Sequence, residues 1–420
     1  MVMNIIIPIY SDGFLHPLHK DNNLSLLYVR HVGDREGRII CLSHPDCGDK
    51  ESIDEIKNDH NSFYLTPDKK KLMNIFPDTR LIDVNYLSWK DTNLPVDLEN
   101  IRLNAYDFFH SKYYNVKDLN DIIPFSKHKE YCDKVFDKMK DSFSSVCEYE
   151  YHTDVINAFS SIEKNGVKVS DDVCDIFDMR VKKHISDGRL YTKYNLWTST
   201  GRPANSFGNV NFAAMKPEQR KAIIPEYDML VEYDYDAYHL RLIGDLIGYE
   251  FEKESVHQHL ADKYGCSYDE AKQRSFKQLY GGIDKKTRED ITFFYLTYDK
   301  INTYWKYFND NKFIKTDIYM RKLLSTNYTD MNRNKLFNYL IQAYETESNI
   351  KTIIELKHYL LGKKTKLVLY GYDSFLFDFS KQDGVSTLTD IKNILERNGH
   401  MVKSQAGSNY GEMNDISDRL

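Results

Sequence analysis

The sequence predicts an α+β fold, with a mixed α/β domain at its N-terminal side. Apolar runs of strand-like composition, such as residues 367–379 (LVLYGYDSFLFDF), are interrupted by turn-forming residues. Segments with helical periodicity alternate with them, such as residues 268–282 (YDEAKQRSFKQLYGG). The 420 residues, of which 41% are hydrophobic and 14% aromatic, suffice for two or three domains with substantial cores.

Residues 1–150 are expected to form the N-terminal α/β domain. Three runs in it are predicted strands, because they are rich in branched and aromatic residues and are separated by polar turns. These runs are NIIIPIY (4–10), LSLLYVR (24–30) and GRIICLS (37–43). The later segment HKEYCDKVFDKMKDSFSSV (128–146) is predicted to be helical.

From residue 151 onward the helix and strand signals are sharper. An amphipathic helix is predicted up to Asn165-Gly166. A strand at 228–235 (DMLVEYDY) leads into a helix at 237–248, and the helix at 268–282 closes on a double glycine. A helix-rich stretch then reaches the hairpin at 367–379, and a last helix is predicted at 386–399.

The overall composition indicates the cellular compartment of the protein but not its function. The net charge of −6 neither supports nor excludes nucleic-acid binding, because a binding protein needs a basic face rather than a basic total. The first residues lack a signal-peptide pattern, and no apolar run approaches the roughly 18 residues of a membrane helix. Six scattered cysteines favour reduced thiols, and Cys41, His44 and Cys47 have no second ligand pair at zinc-site spacing. A cytoplasmic protein without membrane association is expected.

Two aspartates occupy unusual positions. Asp234 lies where an apolar strand gives way to a helix, a place that holds a catalytic group rigidly and leaves it open to solvent. The alternative is that Asp234 or Asp236 caps the helix. Asp373 stands between two apolar runs, where an unpaired buried carboxylate would be unfavourable. Its alternative role is that of a turn residue in a plain hairpin.

If the two strands adjoin in one sheet, the carboxylates of Asp234 and Asp373 meet at one edge. Each carboxylate then raises the pKa of the other unless divalent cations bridge them. Two metal ions held by two aspartates form a recurring site for in-line phosphoryl transfer, in which one ion activates the attacking oxygen and the other stabilises the leaving pyrophosphate. Such sites favour Mg²⁺, with Mn²⁺ as the alternative ion.

One helical face combines a cation with two rings. Lys272, Phe276 and Tyr280 recur every four residues and therefore share a face of the helix at 268–282. An ammonium group beside aromatic rings suits a nucleotide, because it neutralises phosphate while the rings stack against base and sugar. The alternative is an ordinary amphipathic helix whose rings lie in the core, which leaves the lysine on that face unexplained.

Five short motifs, taken in order, resemble those of family-A DNA polymerases, the bacterial polymerase I type. They are TSTGR (198–202), DYDAYHLR (234–241), KQRSFKQLYGG (272–282), NYLIQ (338–342) and GYDSFLFDF (371–379). The segment at 160–170 (SSIEKNGVKVS) also resembles the lead into the thumb of these enzymes. The resemblance covers residues 150–420 and implies a right-hand polymerase palm, an antiparallel sheet with helices. It places a palm with a reduced thumb at 151–245, helical fingers at 246–325 and the rest of the palm at 326–420.

The resemblance also implies roles for individual residues. Asp234 and Asp373 match the two catalytic, metal-binding aspartates. Lys272 matches the lysine that binds the incoming triphosphate, Phe276 the ring beside the incoming sugar, and Tyr280 the ring at the template and nascent pair. The positions implied to contact the primer-template are Arg202, Arg241, Asn338, Gln342 and Tyr372.

Three positions depart from the family pattern. His239 stands where the family has the glutamate that blocks a 2′-hydroxyl, so the hydrogen bond of that residue to Tyr280 is in question. Tyr268 replaces an arginine of the triphosphate clamp. Ser374 replaces the glutamate of the usual His-Asp-Glu, a change expected to tune metal affinity rather than abolish the chemistry.

The implied activity is template-directed addition of dNTPs to a primer 3′ end, with two Mg²⁺ ions. The compact plan favours a phage enzyme of DNA replication, acting in the cytoplasm of the host cell. Residues 170–197 are far fewer than a full thumb requires, which predicts poor intrinsic processivity and a replisome protein partner. Two alternatives stay open. A ribonucleotide-using polymerase or primase is favoured by the lost gate glutamate and opposed by Phe276, and a non-catalytic subunit is opposed by the retained aspartates.

The N-terminal domain has two alternative roles, a degenerate 3′–5′ exonuclease or a partner-binding domain. No Asp-x-Glu pair ends an early strand, and Tyr114 and Asp118 fit a Tyr-x-x-x-Asp spacing that occurs readily by chance. The sequence therefore predicts no active proofreading.

Overall fold

The computed structural model describes residues 3–11, 15–96, 125–140, 149–171, 176–205, 210–252 and 255–419. Tyr114 and Asp118 lie outside these ranges. The chain divides into two compact units: Met1–Trp89, Leu94–Asn195 and Asn205–Ile223 form the first, and Lys90–Asn93, Leu196–Ala204 and Ile224–Leu420 form the second. The finer domain boundaries expected near residues 150, 245 and 325 stay predictions.

A five-stranded mixed sheet lies at the centre of the first unit. Its strands are β1 (Met3–Tyr10), β2 (Leu24–His31), β3 (Arg38–Cys41), β4 (Phe63–Thr66) and β5 (Arg80–Asp83), in the order β3-β2-β1-β4-β5. β1 pairs antiparallel with β2 and parallel with β4. Ile6, Leu27 and Ile40 of adjacent strands pack with Leu72 and Phe76 in one core. The three predicted N-terminal strands are confirmed, and β1 carries no Asp or Glu.

Helices and short strands complete the first unit. The helices that begin in it are α1 (Asp54–Lys57), α2 (Lys69–Leu72), α3 (Val84–Thr92), α4 (Phe125–Met139), α5 (Tyr149–Asn165), α6 (Met179–Lys182) and α7 (Pro217–Arg220). Its short strands are β6 (Val167–Lys168), β7 (Ile185–Ser186), β8 (Arg189–Leu190) and β9 (Tyr194–Asn195), and β10 (Ala204–Asn205) follows along the chain. β6, β8 and β7 form a small antiparallel sheet.

The second unit is built on a five-stranded antiparallel sheet. Its strands are β11 (Met229–Tyr235), β14 (Lys366–Tyr370), β15 (Ser374–Phe379), β16 (Val402–Asn409) and β17 (Glu412–Asp415), in the order β14-β15-β11-β16-β17. The expected antiparallel sheet with helices is therefore present, and the hairpin at 367–379 is confirmed. A separate ribbon pairs β12 (Phe313–Lys315) with β13 (Lys322–Leu324).

Helices make up the rest of the second unit. They are α8 (Tyr238–Ile247), α9 (Val256–Tyr264), α10 (Tyr268–Gly281), α11 (Lys285–Asp290), α12 (Thr292–Asn311), α13 (Arg333–Tyr359) and α14 (Ser386–Leu395). The helices α8, α9, α10, α12 and α13 share one hydrophobic core. Each contributes a buried side chain to it: Leu240, Leu260, Leu279, Phe293 and Phe337, respectively. None of the helices in the described ranges is long and apolar enough to cross a membrane.

The structure corrects the prediction that the cysteines are reduced thiols, because two of them form a disulfide. Cys41, the last residue of β3, is bonded to Cys47 in a disulfide whose Cα atoms lie 6.3 Å apart. The prediction of reduced thiols is therefore wrong for this pair, because the loop after β3 brings the two cysteines within the range of a disulfide. Cys132 is buried and free, and Cys266 is free. Cys147 and Cys174 lie outside the described residues.

Candidate active site

The two aspartates lie side by side in the second-unit sheet, Asp234 near the end of β11 and Asp373 in the turn directly before β15. The antiparallel register of β11 and β15 places Asp234 opposite Ser374, the residue that follows Asp373. The backbone N–H of Tyr235 donates to the carbonyl of Asp373 at 3.0 Å. The strands that carry these two segments are therefore paired, which is the condition under which the sequence predicted that Asp234 and Asp373 lie close together. Both carboxylates come from the same edge of the sheet, although the chain places them far apart.

Each aspartate holds its proton more tightly than a free carboxylic acid. Enclosure by protein atoms and, next, the charges of Asp373 and Glu232 raise the pKa of Asp234 to about 7, although its side chain remains exposed to solvent. Burial and the nearby Glu345 carboxylate raise the pKa of Asp373, against the opposing effect of Arg202. A divalent cation at this edge would relieve both effects.

The residues present fit a hard cation that is only partly held by protein. Within the described residues, no group of three or more His, Cys, Asp or Glu side chains is gathered so as to hold a metal ion. Mg²⁺, however, is commonly held by one or two carboxylates, with waters and substrate phosphates completing its shell. Asp234 and Asp373 supply such a pair, and burial, with neighbouring carboxylates adding to it, raises the pKa of both and disfavours their charged forms without a cation.

A basic side chain lies next to Asp234. Lys403 of β16 is its partner in the register, and the ammonium group forms a 2.7 Å ion pair with Asp236. The guanidinium of Arg241 donates to the carbonyl of Asp236 at 2.9 Å. Arg241 thus binds the turn after β11, and the primer-template contact that the resemblance implies for it stays a prediction. Sequence reasoning missed Lys403, because only the strand register brings it to the site.

The turn that carries Asp373 has a strained backbone. Tyr372 has a φ of +71°, in the left-handed region that non-glycine residues rarely adopt. The side-chain amide of the fully buried Asn349, on α13, donates to the Tyr372 carbonyl at 2.6 Å and to the Tyr370 hydroxyl at 3.0 Å. Its oxygen accepts from the hydroxyl of Tyr238, the first residue of α8, at 2.8 Å. One amide therefore ties together the segments next to both aspartates.

The helix α10 presents the cation and the two rings to solvent. It begins with a capping box in which Ser267 and Glu270 satisfy each other's backbone N–H groups. Lys272 is exposed, and Phe276 and Tyr280 are 40% and 42% exposed. Their rings stack at 6.0 Å with an interplanar angle of 8°. The two rings are therefore not core residues, which favours the nucleotide-binding interpretation of this face over the amphipathic one.

His239 connects three elements of the site. Its Nδ1 lies 2.5 Å from the hydroxyl of Tyr280, so the contact that the sequence left in question is made by the imidazole. Its Nε2 lies 3.3 Å from a carboxylate oxygen of Glu345. Arg202 binds both oxygens of that carboxylate, at 2.5 and 2.8 Å, and its guanidinium lies 4.6 Å from the centre of the Tyr372 ring.

Glu345 is a site residue that the motifs did not contain. It is fully buried, and burial opposes its charge, but the hydrogen bonds and charges of His239 and Arg202 hold its pKa below the usual value. Asn338, Gln342, Glu345 and Asn349 follow one another at spacings of four, three and four residues along α13. This spacing places them on one helical face, a polar stripe that could have identified Glu345 and Asn349 from the sequence.

Two of the implied residues belong to this stripe, and Tyr268 lies on α10. Gln342 donates to the side-chain oxygen of Asn338 at 2.9 Å, and both side chains are partly exposed on α13. Tyr268, in place of the family arginine, opens α10 and packs edge-on against His257 at 5.6 Å. It provides no positive charge for a phosphate.

Arg321 holds the loop that carries Arg202 through hydrogen bonds to its backbone. The buried guanidinium of Arg321 donates to the carbonyls of Ser199 and Thr200 at 3.4 and 3.2 Å and also binds Asn93. Gly201 has a φ of +83°, and a Cβ at this position would lie 2.8 Å from the Arg321 guanidinium. Glycine is therefore required for both backbone conformation and space.

The sequence matches no protein-family model and no curated protein. Among solved structures, the chain is similar to the polymerase domain of Pol1 from M. smegmatis, determined in complex with DNA primer-template and dNTP. The TM-score is 0.67 at 12% sequence identity, and the match covers 97% of this chain and 96% of that chain. Such coverage extends to the first 150 residues, which the motifs do not reach. The chain therefore has the fold of a DNA polymerase domain.

Proposed function

We propose that the protein is a template-directed DNA polymerase of the family-A type that adds dNTPs to a primer 3′ end. The observation that carries this proposal is the pairing of β11 with β15, which brings Asp234 and Asp373 to one edge of the palm-like sheet. The exposed cation and rings of α10 support it, since they meet the palm side through the contact between Tyr280 and His239.

Different side chains would bind the metal ions, the incoming nucleotide and the primer-template in the proposed reaction. Asp234 and Asp373 would hold Mg²⁺, which when bound supplies charge neutralisation for phosphoryl transfer. Lys272 binds the triphosphate, and the stacked Phe276 and Tyr280 bind the sugar and base of the incoming nucleotide. Asn338 and Gln342, with Arg202 in its ion pair with Glu345, form the surface for the primer-template end.

Primer extension by the wild type beside Asp234→Asn and Asp373→Asn tests the proposal. Each variant should lose at least about a thousandfold in rate, because neither can hold the ion as a carboxylate does. Asp390→Asn, which changes an exposed carboxylate on α14, is the control and should retain full activity. Equal activity in all four proteins would refute the mechanism, and an inactive wild type that still binds primer-template would favour the non-catalytic subunit.

The same assay with rNTPs tests the ribonucleotide alternative. The replacement of the gate glutamate by His239 is the observation that favours it. We expect extension with dNTPs to dominate, because the imidazole is held beside Tyr280 and occupies the position of the sugar gate. Steady extension with rNTPs but not with dNTPs would decide for the alternative.

We also propose that the enzyme depends on a replisome protein for processivity, and that it originates from a phage. In the described part of residues 170–197 the longest helix is α6, with four residues. A thumb that wraps duplex DNA needs longer helices than this. The number of nucleotides added per binding event, measured under single-encounter conditions with and without replication proteins, tests the dependence. Long products from the isolated chain would contradict it.

A further inference from the structure

Lys403 places a positive charge on the sheet face that carries Asp234. The two residues lie directly opposite each other in the antiparallel register of β11 and β16. Residues paired in this way have their side chains on the same face of a sheet, with Cβ atoms about 5 Å apart. The Lys403 side chain is 57% exposed to solvent. A ligand that binds over this face can therefore reach its ammonium group.

An ion pair orients this ammonium group without using all of its donors. Lys403 forms a 2.7 Å ion pair with Asp236, whose side chain is 13% exposed. The other oxygen of Asp236 lies 3.4 Å from the guanidinium of Arg241. An ammonium group has three N–H donors, and the contact with Asp236 engages one of them. The ion pair thus restricts the Lys403 stem, and the remaining donors can serve a second anion.

The first turn of α10 has an uncharged residue on the face that carries Lys272. Tyr268 precedes Lys272 by four residues and therefore shares its helical face. The hydrogen bond to Asp236 raises the pKa of Lys403, and the nearby Tyr268 and Asp234 add to this effect. β16 thus brings a cation close to Tyr268, the position where α10 itself supplies none.

The ammonium groups of Lys272 and Lys403 act on one imidazole. Burial lowers the pKa of His257 on α9, and the charges of the two lysines lower it further. The carboxylate of Asp236 opposes them. The ring of His257 packs edge-on against Tyr268 at 5.6 Å. Both cations, one from α10 and one from β16, are therefore near the same group and can bind one polyanion together.

We propose that Lys403 binds the phosphate chain of the incoming nucleotide together with Lys272, and that it supplies from the sheet the positive charge that Tyr268 does not supply on α10. The inference rests on the proposed function, because it assigns a further contact in the same site. A triphosphate that contacts both lysines lies between the sheet edge with the aspartates and the helix face with the two rings. Lys403 takes part in no covalent step.

Binding of dNTP to the protein with a primer-template whose primer lacks a 3′-hydroxyl tests the contact without any reaction. Lys403→Met removes the charge and keeps the length of the side chain. We expect it to raise the Kd of dNTP about tenfold and to change the Kd of dNMP less than about twofold, because a monophosphate does not contact both lysines. Lys403→Arg should stay within about threefold of the wild type. An unchanged Kd of dNTP in Lys403→Met, or equal losses for dNTP and dNMP, would overturn the proposal.

A lysine at the other end of the same sheet provides the matched control. Lys366 of β14 also pairs with a carboxylate, that of Glu226 at 3.5 Å. The strand register places it at the end of the sheet away from Asp234. Lys366→Met should therefore leave the Kd of dNTP within about twofold of the wild type. A tenfold rise in this variant would show a general effect of surface charge and would refute the assignment to Lys403.

Two further measurements separate a phosphate contact from indirect effects. In an Asp236→Asn background, Lys403→Met should still raise the Kd of dNTP about tenfold. Loss of the effect would show that Lys403 acts only by neutralising Asp236. Because a cation repels a metal ion, Lys403→Met should not weaken the binding of Mn²⁺ to the protein without nucleotide. A tenfold fall in Mn²⁺ affinity would reduce Lys403 to a support of the metal site.

Primer extension distinguishes a failure of this inference from a failure of the proposed function. If the wild type extends no primer while the Kd of dNTP still depends on Lys403, the polymerase proposal fails and the phosphate contact stands. If the wild type extends primers and Lys403→Met leaves the KM for dNTP unchanged, the polymerase proposal stands and the phosphate contact fails.

Discussion

The side-chain amide of Asn349 donates a 2.6 Å hydrogen bond to the backbone carbonyl of Tyr372. Tyr372 needs this support because its φ of +71° is unfavourable for a residue with a Cβ. The same amide binds the hydroxyls of Tyr370 and Tyr238, so a residue outside all five motifs supports the backbone before Asp373 and contacts the helix that follows Asp234.

Replacing Asn349 by leucine should therefore impair both stability and activity. Two tyrosine hydroxyls and one carbonyl would each lose the hydrogen bond to this amide, at a cost of about 2–4 kcal/mol in the free energy of unfolding. Displacement of Asp373 should lower kcat by about 10–100-fold. Denaturant unfolding and primer extension measure the two effects. Thr346→Val, which changes a buried hydroxyl on the same helix without a hydrogen-bond partner among the described residues, should leave both values near those of the wild type.

Metal binding at the aspartates should depend on pH. The pKa of Asp234 without metal is about 7, well above that of a free aspartate, so below pH 7 the ion must displace a proton. Apparent affinity should fall by up to about tenfold for each pH unit below 7 and level off above it. Titration with Mn²⁺, followed by electron paramagnetic resonance at pH 6, 7 and 8, measures this. Affinity that is constant across the three pH values would contradict the raised pKa of Asp234.

Lys272 should affect nucleotide affinity more than the fold. Its ammonium is exposed on the face of α10 that carries Phe276 and Tyr280, and its loss removes a charge-assisted contact to phosphate. We expect Lys272→Ala to raise the KM for dNTP at least about tenfold with little change in melting temperature. Lys277→Ala alters an exposed lysine on another face of the same helix and serves as the control. Similar KM values for both variants would contradict the assignment of Lys272 to triphosphate binding.

Gly201 offers a test of the loop that carries Arg202. An alanine there would adopt a left-handed backbone and would also lie 2.8 Å from the guanidinium of Arg321, so Gly201→Ala should be destabilising by about 2–4 kcal/mol. Gly248→Ala is matched in its positive φ of +65°, but a Cβ at that position would have no neighbour within 4 Å, so about 1 kcal/mol is expected. Chemical denaturation of both variants isolates the contribution of close packing. Equal losses would show that Arg321 moves aside freely.

The sequence predicted the local features of the site because they depend on local chemistry. β11, α8, α10 and the hairpin follow from hydrophobic periodicity, turn residues and caps, which act over a few positions. The apolar runs beside Asp234 and Asp373 also predicted that each aspartate lies at the end of a strand, as the structure shows. Their pairing could be stated only as a condition, since it depends on a sheet register that no local pattern encodes.

Long-range polar contacts were the part that the sequence did not yield. Glu345 binds Arg202 and His239, which come from other parts of the chain, and burial of a glutamate is uncommon enough that it is not predicted by default. The disulfide between Cys41 and Cys47 was missed for another reason. The composition indicated a reducing compartment, and this general expectation outweighed a spacing that the loop after β3 makes compatible with a bond.

The position of β11 between β15 and β16 has a consequence for the newly made protein. During translation, Asp234 and the helices α8 to α13 are synthesised before the two strands that flank β11. A nascent chain that ends before residue 373 has neither the second carboxylate nor the strands that pair with β11 beside the first. The carboxylate pair is thus assembled late in synthesis, and a prematurely terminated chain cannot carry out the proposed chemistry.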